Sequence, residues 1–433
     1  MKRFSSPEII ALLILTTFSL AFFESAANAI DESGQEARLH NTSLESKYKG
    51  RCWLAAGKIL QATKCFEDEA QYGGHLSVML DLYVRTGNLA AANRVLTKEF
   101  SDSDYGLRAA YYEIIGDYKG AELDYLRADS AFETAGFYQR QSQLDKAIKY
   151  WNIAVLERPS LWLCYRARCH EAMKDYKLAE QDFNAAVENP ESCSRALIDR
   201  ARFYQRRGDS HKSLIDLNRA VEIDPATYLH HRSRYYEDTG NLVAAQEDLV
   251  QAVQKSESDY ERNLSALELA YFLYRQGKLD EALRELESIK VEKSDESLCR
   301  ILTLKGCILK RQGKLSESRK NLEAVLRYTP DQTPEYLELS IALIELNRSG
   351  DVLNMMKGYL RPGCHLSSEN ALLAGIALAK CGNKRRSKEV MSKAHNAILN
   401  PSLEFERSTD APDYMPASLL ELKSLSKLTT NVN

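Results

Sequence analysis

In residues 194–225, SRALIDRARFYQRRGDSHKSLIDLNRAVEIDP, apolar and small residues recur at helical spacing. Leu197, Ala201 and Tyr204 lie at i, i+4 and i+7, which is one face of a helix. Gly208 interrupts the pattern. Ser213, Leu217 and Ala220 restart it at the same spacing, and Pro225 closes it. The pattern predicts two helices joined by a tight turn, with small residues where the helices cross closely.

The phrase around the turn recurs along the chain, loosely as Gly-x-(Leu/Tyr/Ile)-x-x-(Ala/Ser). It reads GKILQA at 57–62, GNLAAA at 87–92, GDYKGA at 116–121 and GDSHKS at 208–213. It reads GNLVAA at 240–245, GKLDEA at 277–282 and GKLSES at 313–318. Degenerate copies are SQLDKA at 142–147, KDYKLA at 174–179 and GNKRRS at 382–387, with another weak copy near Ser349. Successive copies begin 26 to 37 residues apart. An internal period of this size predicts a stacked array, in which each unit buries its apolar face only against its neighbours. The longest spacings, 36 and 37 residues, predict longer second helices or loops around Lys255 and Lys293.

These positions resemble the tetratricopeptide repeat. That family places a small residue at its eighth position, a large one at the eleventh, Gly at the fifteenth and a small residue at the twentieth. An aromatic or Leu at the twenty-fourth, Ala at the twenty-seventh and Pro at the thirty-second follow. Ala201, Tyr204, Gly208, Ser213, Leu217, Ala220 and Pro225 fill these places in order. From Cys299 the fillers are Gly306, Leu309, Gly313, Ser318, Leu322, Val325 and Pro330. From Ser160 they are Ala167, His170, Lys174, Ala179, Phe183 and Ala186, with Pro190 one place early. The resemblance covers roughly residues 43–400. It implies an all-α fold, a right-handed superhelical α-solenoid of about ten or eleven helix hairpins.

Composition adds a compartment to this picture. Lys2 and Arg3 precede an apolar run from Ile9 to Phe23, and Ala27-Asn28-Ala29 follows. This is the order of a secretory signal peptide over residues 1–29, and the apolar run is shorter than the roughly 20 residues of a spanning helix. The expected mature chain is exported and has no stable membrane span. It is periplasmic in a bacterium, or luminal or extracellular in a eukaryote. Residues 30–42 are a polar lead-in. Beyond the array, 401–428 read as a linker and capping helix starting near Pro416, and 429–433 as a loose tail. Lys plus Arg is 58 and Asp plus Glu is 61. That balance argues against a nucleic-acid partner, which favours a strongly basic surface.

No catalytic signature appears. The sequence has no glycine-rich phosphate loop, GxSxG, HExxH or DxDxDG, and no CxxC. The expectation is therefore a protein that is not an enzyme and takes no cofactor or metal. Nine cysteines leave at least one without an intramolecular partner in an oxidising compartment. Cys52 and Cys65 flank the Gly57 turn at similar distances and are a candidate disulfide, with Cys164 and Cys193 a weaker one. Buried thiols acting as apolar filler are the alternative for both.

In proteins of the resembling family, positions two, five, nine, twelve and thirteen face the concave groove. Here the resemblance implies Arg168, Arg195, Arg202, Arg206, Arg234, Tyr271, Tyr274, Arg275, Lys310 and Arg311 as groove candidates, interrupted by Glu171, Glu237 and Asp238. Arginine forks suit carboxylates, so acidic protein or peptide segments are the expected partner. Charged residues solvating helix ends are the competing reading for Arg206, Arg275 and Arg311. The function this implies is a non-catalytic scaffold in envelope or secretion assembly. A luminal co-chaperone and a peptidoglycan- or carbohydrate-binding envelope protein are the alternatives.

Overall fold

The computed structural model describes residue 64 and residues 80, 83–84, 87–98, 105–189, 193–290, 297–327, 336–361 and 368–399. The expected leader 1–29, the polar stretch 30–42, Cys52, Cys65 and segments 401–428 and 429–433 lie outside the described residues.

Among the described residues nineteen helices follow one another and there is no strand. The chain opens with α1 (Leu89–Lys98), α2 (Tyr105–Ile115) and α3 (Tyr118–Arg127). Next come α4 (Ala131–Arg140), α5 (Leu144–Glu157), α6 (Pro159–Ala172), α7 (Tyr176–Glu188) and α8 (Cys193–Arg206). These lead to α9 (Ser210–Ile223), α10 (Pro225–Asp238), α11 (Leu242–Lys255), α12 (Asp259–Arg275) and α13 (Leu279–Ser288). The last six are α14 (Ser297–Arg311), α15 (Leu315–Arg327), α16 (Tyr336–Glu345), α17 (Ser349–Met355), α18 (Ser368–Lys380) and α19 (Lys384–Leu399). Nine hairpins, α2–α3 through α18–α19, are described, and α1 is the second helix of another whose turn holds Gly87.

The chain forms two compact units. Unit 1 draws on Met1–Asp129 and Glu292–Ile398, and unit 2 on Ser130–Val291. In unit 2 every helix packs on the next along the chain, from α4 to α13. In unit 1, α14 to α18 pack in the same serial way, and α2 packs on α3. Serial packing of helix hairpins is the arrangement of an all-α solenoid, as the repeat pattern predicts. One buried cluster in unit 2 takes Val155 from α5, Leu163 from α6, Ala186 from α7, Leu197 from α8, Leu217 from α9 and Tyr235 from α10. The core is thus continuous from hairpin to hairpin.

The turn explains the recurring phrase. Gly208 has φ +78°, in the left-handed region that only glycine enters without penalty. Its N–H donates to the Gln205 carbonyl at 3.0 Å, and the Asp209 N–H donates to the Tyr204 carbonyl at 2.9 Å. These bonds satisfy the last carbonyls of α8. Asp209 then caps α9 by accepting from the Lys212 N–H at 3.0 Å. One Gly-Asp pair therefore ends one helix and starts the next. The degenerate copies keep the conformation without the glycine: Ser142, Lys174 and Asn347 have φ of 57°, 64° and 61°. Lys174 repeats the bonds, donating to the Glu171 carbonyl at 2.9 Å, while the Asp175 N–H reaches the His170 carbonyl at 2.8 Å.

Two details differ from the sequence pattern. The extra residues near Lys255 do not lengthen the second helix, since α11 has the same 14 residues as α9. They lie in Ser256–Ser258 and in a longer first helix, α12, of 17 residues, which starts with a capping box between Ser258 and Glu261. The region around Lys293 lies outside the described residues. Pro225, the end of the pattern unit, is the first residue of α10, where a missing N–H costs nothing, and Asp224 caps that helix.

The turn conformation carries a testable consequence. A Cβ at Gly208 would meet nothing within 4 Å, so Gly208→Ala isolates the left-handed strain. It should lower stability by about 1 kcal/mol. Exposed Lys174 carries that strain already, so Lys174→Gly should raise stability by a similar amount, about 1 kcal/mol. Urea unfolding midpoints of the two variants check both signs.

Candidate binding surface

Three successive first helices carry an arginine pair with one residue between: Arg166 and Arg168 on α6, Arg200 and Arg202 on α8, Arg232 and Arg234 on α10. Residues two apart on a helix point about 200° away from each other. The members of each pair must therefore meet different surroundings.

The first members are structural. Arg200 donates from Nε and Nη2 to the two Asp216 carboxylate oxygens at 2.8 and 2.7 Å, and from Nη1 to Asn184 Oδ1 at 2.8 Å. Arg232 makes the same fork to Asp248 at 2.8 and 2.7 Å and reaches Asn218 at 2.8 Å. Arg166 repeats it with Asp182 at 2.7 and 2.6 Å and with Asn152 at 3.1 Å. In unit 1, Arg108 holds Asp124 by the same fork. Each aspartate sits on the second helix of the same hairpin, and each asparagine on the second helix of the hairpin before. One guanidinium thus ties two hairpins. Asp216 and Asp248 are buried, and a buried carboxylate is tolerated when a bidentate partner satisfies it. Hydrogen bonding to Asp216 raises the Arg200 guanidinium above its ordinary range.

The groove candidates divide into three groups. Arg168, Arg206, Arg275 and Lys310 are met by acids on an adjacent hairpin. Arg168 pairs with Asp199 and lies 5.5 Å from the Tyr165 ring centroid. Arg206 forks onto Glu171 with both bonds at 2.7 Å, and Arg275 onto Glu237 at 2.7 and 2.6 Å. Lys310 donates to Glu345 Oε2 at 2.8 Å and to its carbonyl at 3.0 Å. Glu171 and Glu237, expected to interrupt a basic stripe, are the residues that neutralise it.

Tyr271 and Tyr274 differ from expectation more plainly. They are 5% and 2% exposed, because α12 is buried almost all round from Ala266 to Tyr274. Their rings fill the core and offer little surface to a partner.

Arg195, Arg202, Arg234 and Arg311 form the remaining group. Arg195 and Arg202 are half-buried and stand seven residues apart, two turns along one face of α8. Arg202 Nη2 lies 3.4 Å from His231 Nδ1. Desolvation, with His230 and Arg202 beside it, pushes His231 well below its ordinary pKa, so the ring is neutral and Nδ1 can accept. Arg234, half-buried on α10 four residues after His230, has only a loose 3.8 Å contact with half-exposed Asp238. Arg311 is exposed at the end of α14 in unit 1. Arg195 and Arg202 thus stand on α8, and His230 and Arg234 on α10. The ladder partners were legible as Arg and Asp 16 residues apart, but composition and face-counting did not single them out.

Among the described residues, no cluster of three or more His, Cys, Asp or Glu side chains could hold a metal. Cys164 is a free thiol, and the side chain of Cys193, its candidate partner, lies outside the described residues. Burial and Asp199 push the Cys164 thiol well up, and burial pushes Cys169 up to about 12, so neither offers a thiolate. Glu133 on α4 is buried, with neither carboxylate oxygen hydrogen-bonded, and desolvation raises it to about 7.

Family models for tetratricopeptide repeats match residues 138–192 and 194–227, and a tetratricopeptide repeat-like domain matches 231–345. Among solved structures, the chain is similar to a tetratricopeptide repeat protein from Parabacteroides merdae ATCC 43184. The identity is 16%, the TM-score 0.37, and the match covers 63% of this chain and 100% of that one. Yeast Tom70 matches at 13% identity and a TM-score of 0.40, over 90% of this chain and 96% of its own. A human IFIT1 dimer with m7Gppp-AAAA matches at 15% identity and a TM-score of 0.36, over 86% and 96%. No curated protein matches significantly.

The two arginine roles separate by mutation. Arg200→Met would leave Asp216 buried and unpaired, and should cost about 3–5 kcal/mol of stability. Arg202→Met, two residues on, should cost less than about 1 kcal/mol. Denaturation of both variants in urea checks the contrast, and equal losses would contradict it.

Proposed function

We propose that the chain, whose residues 138–192, 194–227 and 231–345 match tetratricopeptide-repeat models, is a non-catalytic, exported scaffold that takes acidic segments of partner proteins on a basic face of α8 and α10. The division within the arginine pairs carries this reading. Arg166, Arg200 and Arg232 are held by buried aspartates, and Arg168 by Asp199. Arg202 lies beside a neutral imidazole, and Arg234 lies 3.8 Å from a half-exposed carboxylate. A carboxylate ligand could take bidentate bonds from these guanidinium groups. Arg195 extends the same face by two helical turns.

Export rests on the leader-like sequence alone: Lys2, Arg3, the apolar run Ile9 to Phe23 and Ala27-Asn28-Ala29. Among the described residues no helix is long and apolar enough to cross a membrane. An exported repeat scaffold suits the assembly of envelope or secretion machinery, where one protein must hold several others.

Binding is tested by titrating a fluorescent Glu/Asp-rich peptide into the mature chain and into the Arg202→Glu, Arg234→Glu double variant. Charge reversal at two fork positions should weaken binding at least about tenfold. Unchanged affinity would sink the acidic-segment reading, and binding to isolated cell wall in its place would favour a carbohydrate ligand. Export is tested separately by N-terminal sequencing of the expressed protein. A mature chain starting at Ile30 is expected, and one that retains residues 1–29 in the cytoplasm would overturn it.

A further inference from the structure

Within unit 1, the segment that follows α17 packs on the turn that precedes α1, some 270 residues away in the chain. Tyr359 is 8% exposed and belongs to one cluster with Leu80, Tyr83, Val84, Leu107 and Tyr111. Arg361 Nη2 donates to the Gly87 carbonyl at 2.7 Å across 274 residues of sequence. From the other side, Arg386 Nη2 on α19 donates to the Leu360 carbonyl at 2.5 Å. The segment is therefore held by α19 and by the turn before α1.

The approach at Gly358 is backbone to backbone. A Cβ there would fall 1.4 Å from the Val84 carbonyl oxygen and 3.0 Å from the Gly87 N. No side chain fits that space, so any other residue must part the two segments. Gly358 thus allows a backbone contact that a residue with a side chain would prevent.

Connectivity gives this contact a consequence. The chain leaves unit 1 after Asp129 and re-enters it at Glu292. We propose that residues 355–361 act as a latch on Val84 and Gly87, which joins the part of unit 1 that precedes this excursion to the part that follows it. In a repeat stack each hairpin contacts only its neighbours, so a contact of this kind is what holds two stretches far apart in sequence within one unit.

The test uses the full chain and amide hydrogen exchange read peptide by peptide. Gly358→Val should raise exchange in residues 83–98 at least about tenfold, the mark of a lost local contact. Helix α18, close in sequence to the substitution, should keep its protection. Arg361 is exposed, so Arg361→Glu is the second variant, with a smaller rise confined to the same residues. Unchanged exchange at 83–98 in both variants would overturn the latch, and so would a rise no greater there than in the rest of the chain.

Discussion

A single left-handed residue at each hairpin turn sets what stands opposite what in this protein. It ends the first helix by turning its last carbonyls onto the turn's own N–H groups, and the next residue opens the second helix. With the turn fixed, helical periodicity does the rest. Arg200 stands eight residues before Gly208 and Asp216 eight after it. The same holds for Arg166, Lys174 and Asp182, for Arg232, Gly240 and Asp248, and for Arg108, Gly116 and Asp124. Each ion pair is symmetric about its turn. A one-residue slip in either helix would rotate its member by about 100° and leave a buried carboxylate alone.

That constraint also decides which charges are available to a partner. An arginine that satisfies a buried aspartate and an asparagine one hairpin back cannot leave without exposing both to a penalty of several kcal/mol. The ladder is thus closed to ligands by energetics as well as by position. The residue two places further along the same helix points elsewhere. Its partners vary from hairpin to hairpin: an aspartate for Arg168, a neutral histidine for Arg202, a distant aspartate for Arg234.

The groove candidates show where face-counting stops. Arg206 and Arg275 do lie near the turn, and their charge is not free, because Glu171 and Glu237 come from the preceding hairpin. Those pairings span 35 and 38 residues, and no local periodicity connects such distances. Tyr271 and Tyr274 occupy positions that a one-sided helix would expose. Instead α12 is covered on nearly every side, so a rule for half-buried helices does not apply to it. The contact between Tyr359 and the Val84–Gly87 turn is a further step removed, since nothing in the sequence near either segment points to the other.

By itself the sequence determined the helix hairpin, its period, its small crossing residues and its turns. These were legible even at Ser142, Lys174 and Asn347, where glycine is missing, because local backbone bonds and helical spacing act within one hairpin. Only the tertiary structure decided which acid meets Arg168, Arg206 and Arg275, which tyrosines are core, and that the segment after α17 meets Val84 and Gly87. Those outcomes depend on groups brought together from different hairpins. Charge pairing and burial are properties of the surroundings, and a single hairpin does not contain its surroundings.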